Sequence, residues 1–407
     1  MNIISGYLSK NGFLPSAASL LFLMTILLFG STRPLQAEVR LSVDTEFYNT
    51  FSTLNGPDDW RYFLTGLGGA ALHNKGSGNI RGELSLEFSE IGGTAAPETT
   101  SFAESASGPG VKLKRLYIRP AFGDILVSLG KTRSTWGAGY AFNAGDIIFG
   151  SDTVNFDTRS EDPRSETAWL TNAEIPFGAF DFFEFILLPG NFSAGDEEAD
   201  PSVPSSPPPI EKTSGGARIS IERGIFNFQT GYLFRGDRIA GLGETGHRAY
   251  ISIEGIEPVS WHISSSATAE ADFSSPKKIE KSWMVTGGAA HDHTVLYDRT
   301  FSWTFEFLAK PYGTFEEEST ETADGYGLYL YPSVSFAPRN GLSYTLSSIL
   351  SPIDISAHTT LGMDWNIYEE LTLLAYASLQ LGEEGADIFH LKKAGGISCS
   401  MGARYRY

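Results

Sequence analysis

The residues best suited to chemistry lie between positions 131 and 164, where charged side chains, aromatic rings and glycines are interleaved. Basic and acidic groups that face each other across a wet constriction create a field that selects ions by their charge. The stretch therefore predicts a pore constriction and selectivity site made of Lys131, Arg133, Trp136, Asn143, Asp146, Asp157, Arg159 and Arg164. The alternative interpretation is an architectural kink whose charges form salt bridges.

The same stretch is too rich in glycine for a plain strand. Aromatic residues and glycines alternate from Trp136 to Gly145, a composition that favours a bend or bulge followed by an inward fold. Lys131 and Arg133 are one strand repeat apart, so we expect them on one face. Lumenal carboxylates, chiefly Asp146 and Asp157, are then expected to meet them and to set the ion preference together with them.

The end of the chain indicates which elements hold this stretch. Apolar and polar residues alternate with period two from position 396 to position 407, and the apolar series ends in Tyr405 and Tyr407. About ten such residues suit a strand that has one face in lipid. Because backbone groups cannot stay unpaired in hydrocarbon, the sheet must close and the last strand must pair with the first. The last strand of a soluble sandwich is the alternative.

Period-two alternation recurs along the chain, for example over residues 39–47 and 80–88, whereas helices would show a period of 3.6. The fold class is therefore all-β: a transmembrane antiparallel β-barrel of about 16–18 strands. Eighteen strands is the preferred count, and sixteen stays open because residues 60–73 and 281–290 give weak signals. Short turns alternate with longer polar connections, which is typical of periplasmic turns and outer loops.

The N-terminal segment has the pattern of a secretory signal. An apolar core of about ten residues follows Lys10 and precedes Leu35, Gln36 and Ala37, and it is short for a spanning helix, which needs about twenty. The predicted division is a signal peptide at 1–37 and an outer-membrane barrel at 38–407. A retained membrane anchor is the alternative.

Composition and motif spacing exclude several classes of function. A formal net charge of −18 argues against nucleic-acid binding, and a single cysteine excludes a disulfide framework. A P-loop would need glycine where Ile125 stands. His291, Asp292 and His293 are interpreted as a solvated turn in preference to a metal site. No convincing Ser/His/acid set is found, so we expect no enzyme, no cofactor and no metal.

The charged stretch also resembles a pattern of porin-like outer-membrane barrels. A strand that ends Gly130-Lys131 is followed by Arg133, then by Trp-Gly-x-Gly-aromatic from Trp136, and then by Asn143 and Asp146. Many such proteins carry proline where this chain has Ala144, so the inward loop is expected to differ. The segment Pro176-Phe177-Gly178 is also similar. The resemblance implies a pore or transport barrel without naming a solute.

Two functions remain in view. The first is a porin-like channel in the bacterial outer membrane that allows passive diffusion of small hydrophilic solutes or ions. The second is a surface-exposed structural or adhesive barrel with a plugged lumen, which the long segments 92–110 and 190–216 keep in view. Lumen-facing charge on many strands favours the first, since a plug would require those charges to be paired. The expected partners are outer-membrane lipid and the solutes, without nucleic acid; a homo-oligomer is possible, with monomer and trimer both open.

Overall fold

The computed structural model describes the barrel wall and one inward segment. The described residues are 39–53, 60–74, 80–93, 110–150, 164, 166–189, 212–236, 246–271, 279, 282–295, 299–312, 326–338, 340–383, 386, 388 and 396–407. The predicted signal peptide at 1–37 lies outside these ranges. Within them, no helix is both long enough and apolar enough to cross a membrane.

Within the described residues, eighteen strands form a single sheet, in agreement with the preferred count. Their bounds are β1 Val39–Thr53, β2 Trp60–Asn74, β3 Ile80–Gly93, β4 Gly110–Phe122, β5 Ile125–Thr132, β6 Ala168–Pro176, β7 Phe182–Leu188, β8 Ser214–Arg223, β9 Phe226–Arg235, β10 Gly246–Gly255, β11 Ser260–Glu270, β12 Met284–Val295, β13 Arg299–Lys310, β14 Gly327–Ala337, β15 Leu342–Ser351, β16 Ser356–Tyr368, β17 Leu371–Leu381 and β18 Ile397–Arg406.

Each strand pairs antiparallel with the next, and β1 pairs with β18, so the sheet closes into a barrel. At the closure the backbone of Val43 exchanges two hydrogen bonds with that of Tyr407, at 2.9 and 2.8 Å. No edge is left along this seam, which satisfies the requirement that every backbone group in hydrocarbon be paired. The predicted pairing of the first and last strands is confirmed.

The two faces of the wall differ as the alternation requires. In β18, Met401 and Tyr405 are exposed on the outer face, whereas Ser400 and Arg404 are buried on the inner one. The inner hydroxyl of Thr50 lies 2.8 Å from that of Ser400 across the seam. Polar side chains therefore line the lumen and apolar ones face outward, which is the pattern of a membrane barrel.

The connections alternate in length around the barrel. At the end that carries both termini, two to five residues join successive strands, whereas at the opposite end four to thirty-five residues do so. This alternation of short and long connections is expected of periplasmic turns and outer loops. The longest connection, 133–167, follows β5 at the long-loop end.

The turn predicted at the histidine pair 291–293 is wrong. The pair lies inside β12, where His291 pairs with Trp303 and His293 with Phe301 of β13. Asp292 shares the inner face with Ser302, so the alternation continues through this polar run and β12 ends at Val295.

The seam depends on a small residue at position 402. A Cβ atom on Gly402 would meet the Phe47 carbonyl oxygen and would lie 2.6 Å from the Tyr48 ring. We expect Gly402→Ala to lower the stability of the folded barrel by about 1–3 kcal/mol, the usual cost of overpacking. Heat-modified migration on a denaturing gel measures it. In the control Gly69→Ala the nearest atom is 3.7 Å away, so a loss as large as that of Gly402→Ala would contradict the steric explanation.

A second prediction concerns the turn between β6 and β7. The Asp181 carboxylate accepts hydrogen bonds from Arg223 at 2.8 Å and from the Glu222 backbone N–H at 2.8 Å. The Arg223 hydrogen bond, with that N–H, holds the pKa of Asp181 below its usual range. A lowered carboxyl pKa contributes stability that is present above the unfolded pKa, about 3.9, and is lost as pH falls through the folded pKa.

We therefore expect Asp181→Asn to destabilise the barrel at pH 7 and at pH 5, and the difference from the unchanged protein to shrink below pH 4. Urea unfolding at three pH values measures this difference. Asp124→Asn, in the turn between β4 and β5, is the control. A difference that grows toward low pH would show that the sign of the linkage is wrong.

Candidate functional site

The inward fold predicted after β5 is present in the described segment 133–150. It runs along the inner wall past β7 to β13, away from the strand ends, and contacts a lumen-facing residue of each. These wall residues are Glu184 of β7, Arg218 of β8, Gln229 of β9, Tyr250 of β10, Ser264 of β11, Thr286 of β12 and Glu306 of β13. The lumen is therefore narrowed from one side.

The start of the segment is tied to a buried carboxylate. Glu184 accepts hydrogen bonds from the Ser134 hydroxyl at 2.7 Å, from the Trp136 indole N–H at 3.2 Å and from the Asn172 amide at 2.9 Å. Arg218 forms an ion pair with the same carboxylate and donates to the Thr135 carbonyl at 3.0 Å. Because the charge is paired and its oxygens are hydrogen-bonded, its burial is compensated.

Trp136 is the apolar anchor of this end. Its side chain is fully buried, and its ring centroid lies 6.0 Å from that of Tyr250. The chain returns to the same place at Ile147, where Ile147, Ile148 and Phe149 join wall residues in the same cluster: Leu170, Ile186, Leu188 and Leu233. Both arms of the segment are thereby packed against β6–β10.

The glycines let the two arms approach each other. Gly137 has a φ of 71°, a conformation that favours glycine, and a Cβ there would lie 2.6 Å from the Cα of Gly145. Asn143 fastens this crossing, because its amide donates to the Trp136 carbonyl at 2.9 Å and its side-chain oxygen accepts from Gly145 N–H at 2.9 Å. The Trp-Gly and Asn-x-x-Asp parts of the motif are thus parts of one compact turn.

The middle of the segment is held by Glu306. Its carboxylate accepts hydrogen bonds from three successive backbone N–H groups, those of Tyr140 at 2.7 Å, Ala141 at 2.7 Å and Phe142 at 2.9 Å. His262 Nε2 lies 3.7 Å from the same carboxylate. Thr286 Oγ1 accepts from Ala144 N–H at 3.0 Å. Hydrogen bonds to a charged acceptor are stronger than those between neutral groups. The three hydrogen bonds to Glu306, which we call the Glu306 cap, and the bond to Thr286 therefore fix the segment on β13 and β12.

Within the three residues held by Glu306, the chain exposes one aromatic ring and buries another. Phe142 is fully buried with Leu308, Tyr329, Ile349 and Ile388, the last of which belongs to the connection between β17 and β18. Tyr140 is 49% exposed, and its ring centroid lies 6.2 Å from that of Tyr331. Because Tyr140 lies inside the barrel, its exposed part faces the remaining lumen.

The predicted charges meet in part. Asp146 is buried and accepts from Arg164 at 2.7 Å and from Phe149 N–H at 3.2 Å, and Arg133 lies 3.9 Å away. Arg133 also lies 3.8 Å from Glu166. Burial raises the pKa of the Asp146 carboxyl, while Arg164, the Phe149 N–H and Arg133 act in the opposite direction. The cluster brings three of the predicted site residues together.

Lys131 has different surroundings. It lies opposite Leu116 and Trp169 in the sheet, and Trp169 is exposed on the outer face. Its ammonium donates to the Leu113 carbonyl at 2.7 Å. Lys131 and Arg133 therefore do not share a face, because β5 ends at Thr132 and the chain turns inward there. Asp157 and Arg159 lie outside the described residues.

The opposite wall carries a second group of charges. Arg404 of β18 lies 3.5 Å from Glu46 of β1 and 4.0 Å from Asp364 of β16. The Tyr48 hydroxyl donates to Glu46 at 2.7 Å, and the Tyr376 hydroxyl donates to Asp364 at 2.9 Å. One cation between two carboxylates leaves a local excess of negative charge on this side.

The wall residues that hold the segment were missed from the sequence. Glu184 stands between Phe183 and Phe185, and Glu306 stands between Phe305 and Phe307. A lone carboxylate on the inner face of an otherwise aromatic strand was the available signal. Among the described residues, no group of three or more metal-binding side chains is placed to hold an ion.

Comparisons with known proteins concern the fold. No protein-family model matches the sequence, and a search of curated proteins finds no match. Similar solved structures include Acinetobacter baumannii OccAB4, with a TM-score of 0.55 and 9% identity over 92% of this chain and 100% of that one. Pseudomonas aeruginosa OccK2 (OpdF) in complex with glucuronate has a TM-score of 0.56 and 10% identity over 91% and 98%.

A third similar structure is Wzi of Escherichia coli, described as a carbohydrate-binding β-barrel of the outer membrane involved in group 1 capsule assembly. It has a TM-score of 0.52 and 13% identity over 95% of this chain and 88% of that one. The chain therefore has the closed 18-stranded antiparallel barrel fold of outer-membrane porins.

Proposed function

We propose that the protein is a porin-like channel of the bacterial outer membrane that allows passive diffusion of small hydrophilic solutes or ions. The observation that carries this proposal is the segment 133–150, which narrows a polar lumen and is fixed to seven strands of its wall. A segment held in this way sets the size of the passage, while the charges beside it act on what passes.

One of the similar structures supports the proposal through the solute that it contains. OccK2 is described with the small solute glucuronate bound. A barrel of the same strand arrangement with a wet, charged interior is suited to the same class of task. We propose no catalytic role, cofactor or metal for this chain.

The charges at the inward segment are proposed to set ion preference. Arg133, Asp146 and Arg164 form the described part of this set, with Trp136 and Asn143 holding its geometry. Lys131, Asp157 and Arg159 complete the set proposed from the sequence. Since Lys131 lies opposite Trp169, we expect Arg133→Ala to change ion preference more than Lys131→Ala does.

A structural or adhesive barrel with a plugged lumen remains the second candidate. Ile388, from the connection between β17 and β18, packs against Phe142 of the inward segment, so two connections meet inside the barrel. Wzi, which has a similar fold, is described as carbohydrate-binding. Lumenal charges that are partly exposed, such as Arg115 and Glu87, favour an open passage over a dry plug.

The direct test is the conductance of the purified barrel in a planar bilayer. We expect stepwise insertion of open channels in 1 M KCl, where screening over about 3 Å leaves lumen diameter as the main determinant of conductance. Folding is checked on the same sample by heat-modified migration. A correctly folded barrel that inserts without conducting would refute the channel and favour the plugged alternative.

The anchor of the segment gives a second test. Glu306→Ala removes the acceptor of three N–H groups, each of which costs roughly 1–3 kcal/mol when buried without a partner. We expect the segment to leave the wall, and the open-channel current to become noisier and to change in mean conductance. Glu174→Ala, which removes a lumen-facing carboxylate from β6, is the control. Equal currents from all three proteins would show that Glu306 does not hold the constriction.

A further inference from the structure

The inner face of β14 to β17 differs from the rest of the lumen because it carries little charge. Many of its positions bear hydroxyl side chains. Apart from tyrosine phenols, the ionisable groups among the described inner positions of these four strands are the carboxylate of Asp364 and the imidazole of His358. The hydroxyl residues of this face include Ser333, Ser335, Thr345, Ser347, Thr360 and Ser378. We call this surface the hydroxyl wall.

Tyr140 stands where the inward segment meets the hydroxyl wall. Its backbone N–H is fixed by Glu306 on β13, and its half-exposed ring lies beside Tyr331 of β14. Tyr331 shares the inner face of β14 with Ser333, and Ser333 lies opposite Ser347 of β15. An aromatic surface and a set of hydroxyl groups thus line the same part of the passage, and both are held in place.

This combination matches the chemistry of a neutral sugar. A pyranose ring has an apolar face of C–H groups, which packs on an aromatic ring, and a rim of hydroxyl groups, which both donate and accept hydrogen bonds. Serine and threonine hydroxyls also do both, so they can follow the rim in either direction. Binding sites commonly combine an aromatic surface with a few polar groups that fix orientation.

Charged solutes find fewer binding partners on this surface than neutral solutes do. The Glu306 carboxylate, the nearest acidic group to Tyr140, is occupied by three backbone N–H groups. Arg404, on β18, lies between Glu46 and Asp364. Glu306, Asp364 and Arg404 are therefore already paired, so the described part of this surface offers a charged solute less than it offers a neutral one.

We propose that Tyr140 and the hydroxyl wall form a subsite that binds neutral saccharides during passage. This inference rests on the proposed channel function and names the class of solute that the channel favours. Tyr140 supplies the stacking surface, and the hydroxyl groups of β14 to β17 exchange hydrogen bonds with the sugar in place of water.

The test uses glucose and sorbitol, which are similar in size, because only glucose has a closed ring with an apolar face. Interruption of the KCl current by each solute is measured in planar bilayers. We expect glucose to interrupt the current at lower concentration than sorbitol does. In Tyr140→Ala the half-maximal glucose concentration should rise roughly two- to tenfold, the effect of losing one aromatic contact.

Two further variants separate binding from folding. Tyr140→Phe keeps the ring and should keep most of the preference for glucose. Tyr344→Ala removes an exposed tyrosine from the outer face of β15 and should behave like the unchanged protein. Backbone N–H groups remain in every variant, so the Glu306 cap is preserved, and a KCl current in each variant reports an intact passage.

The outcomes distinguish this inference from the channel proposal. If the folded barrel carries no KCl current, the channel function itself is wrong and the saccharide subsite is wrong with it. If KCl passes but glucose and sorbitol act alike, or Tyr140→Ala leaves the glucose response unchanged, the subsite is wrong while the channel stands. Glucuronate that interrupts the current at lower concentration than glucose does would overturn the preference for neutral sugars.

Discussion

Irregular backbone inside a barrel must find hydrogen-bond partners that the sheet does not supply. A strand in the wall pairs its N–H groups with its neighbours, but residues 140–142 have left the sheet and have no neighbouring strand. The carboxylate of Glu306 takes the place of a neighbouring strand, because it accepts hydrogen bonds from all three N–H groups. Non-helical backbone at membrane depth is tolerated only where protein or water supplies such partners.

Glu306 in turn needs the segment. A carboxylate on the inner face of β13, beside the buried Leu308, would be costly without donors. The same reciprocity joins Glu184 to the Ser134 hydroxyl and the Trp136 indole. Wall and segment are therefore parts of one network: each half supplies what the other lacks, and neither is satisfied alone.

The barrel could be predicted because its signal is repeated and local. Alternation in β18, the count of strands and the pairing of the first and last strands all follow from a period-two pattern and the closure requirement. The boundary of β12 was missed because His291, Asp292 and His293 resemble a turn by composition, although the alternation of inner and outer faces continues through them. Polarity alone does not separate a turn from a strand near the end of the barrel.

The candidate site was predictable only in outline. An inward fold after β5 follows from the glycines, and the meeting of Arg133, Asp146 and Arg164 follows the expected mixture of charges. Successive residues of a strand point to opposite faces of the sheet, so a shift of one residue in the register moves a side chain from the lumen to the outer face. The period-two pattern around Lys131 does not fix the register to one residue. Glu184 and Glu306 lie 50 and 166 positions from their partners Ser134 and Tyr140, and such distant contacts leave no mark in local spacing.

The inward segment also has a mechanical consequence. A cylinder made of one hydrogen-bonded sheet flattens easily into an ellipse when the surrounding bilayer presses on it from the side. Attachment at Glu184 and at Glu306 ties β7 to β13 from within and acts as an internal brace across that arc of the wall. Phe142 extends this attachment to Tyr329 of β14 and Ile349 of β15. Lateral pressure is then absorbed mainly by the arc that the segment does not contact, which runs from β16 through β18 and on to β4, and the cross-section keeps its shape beside the segment.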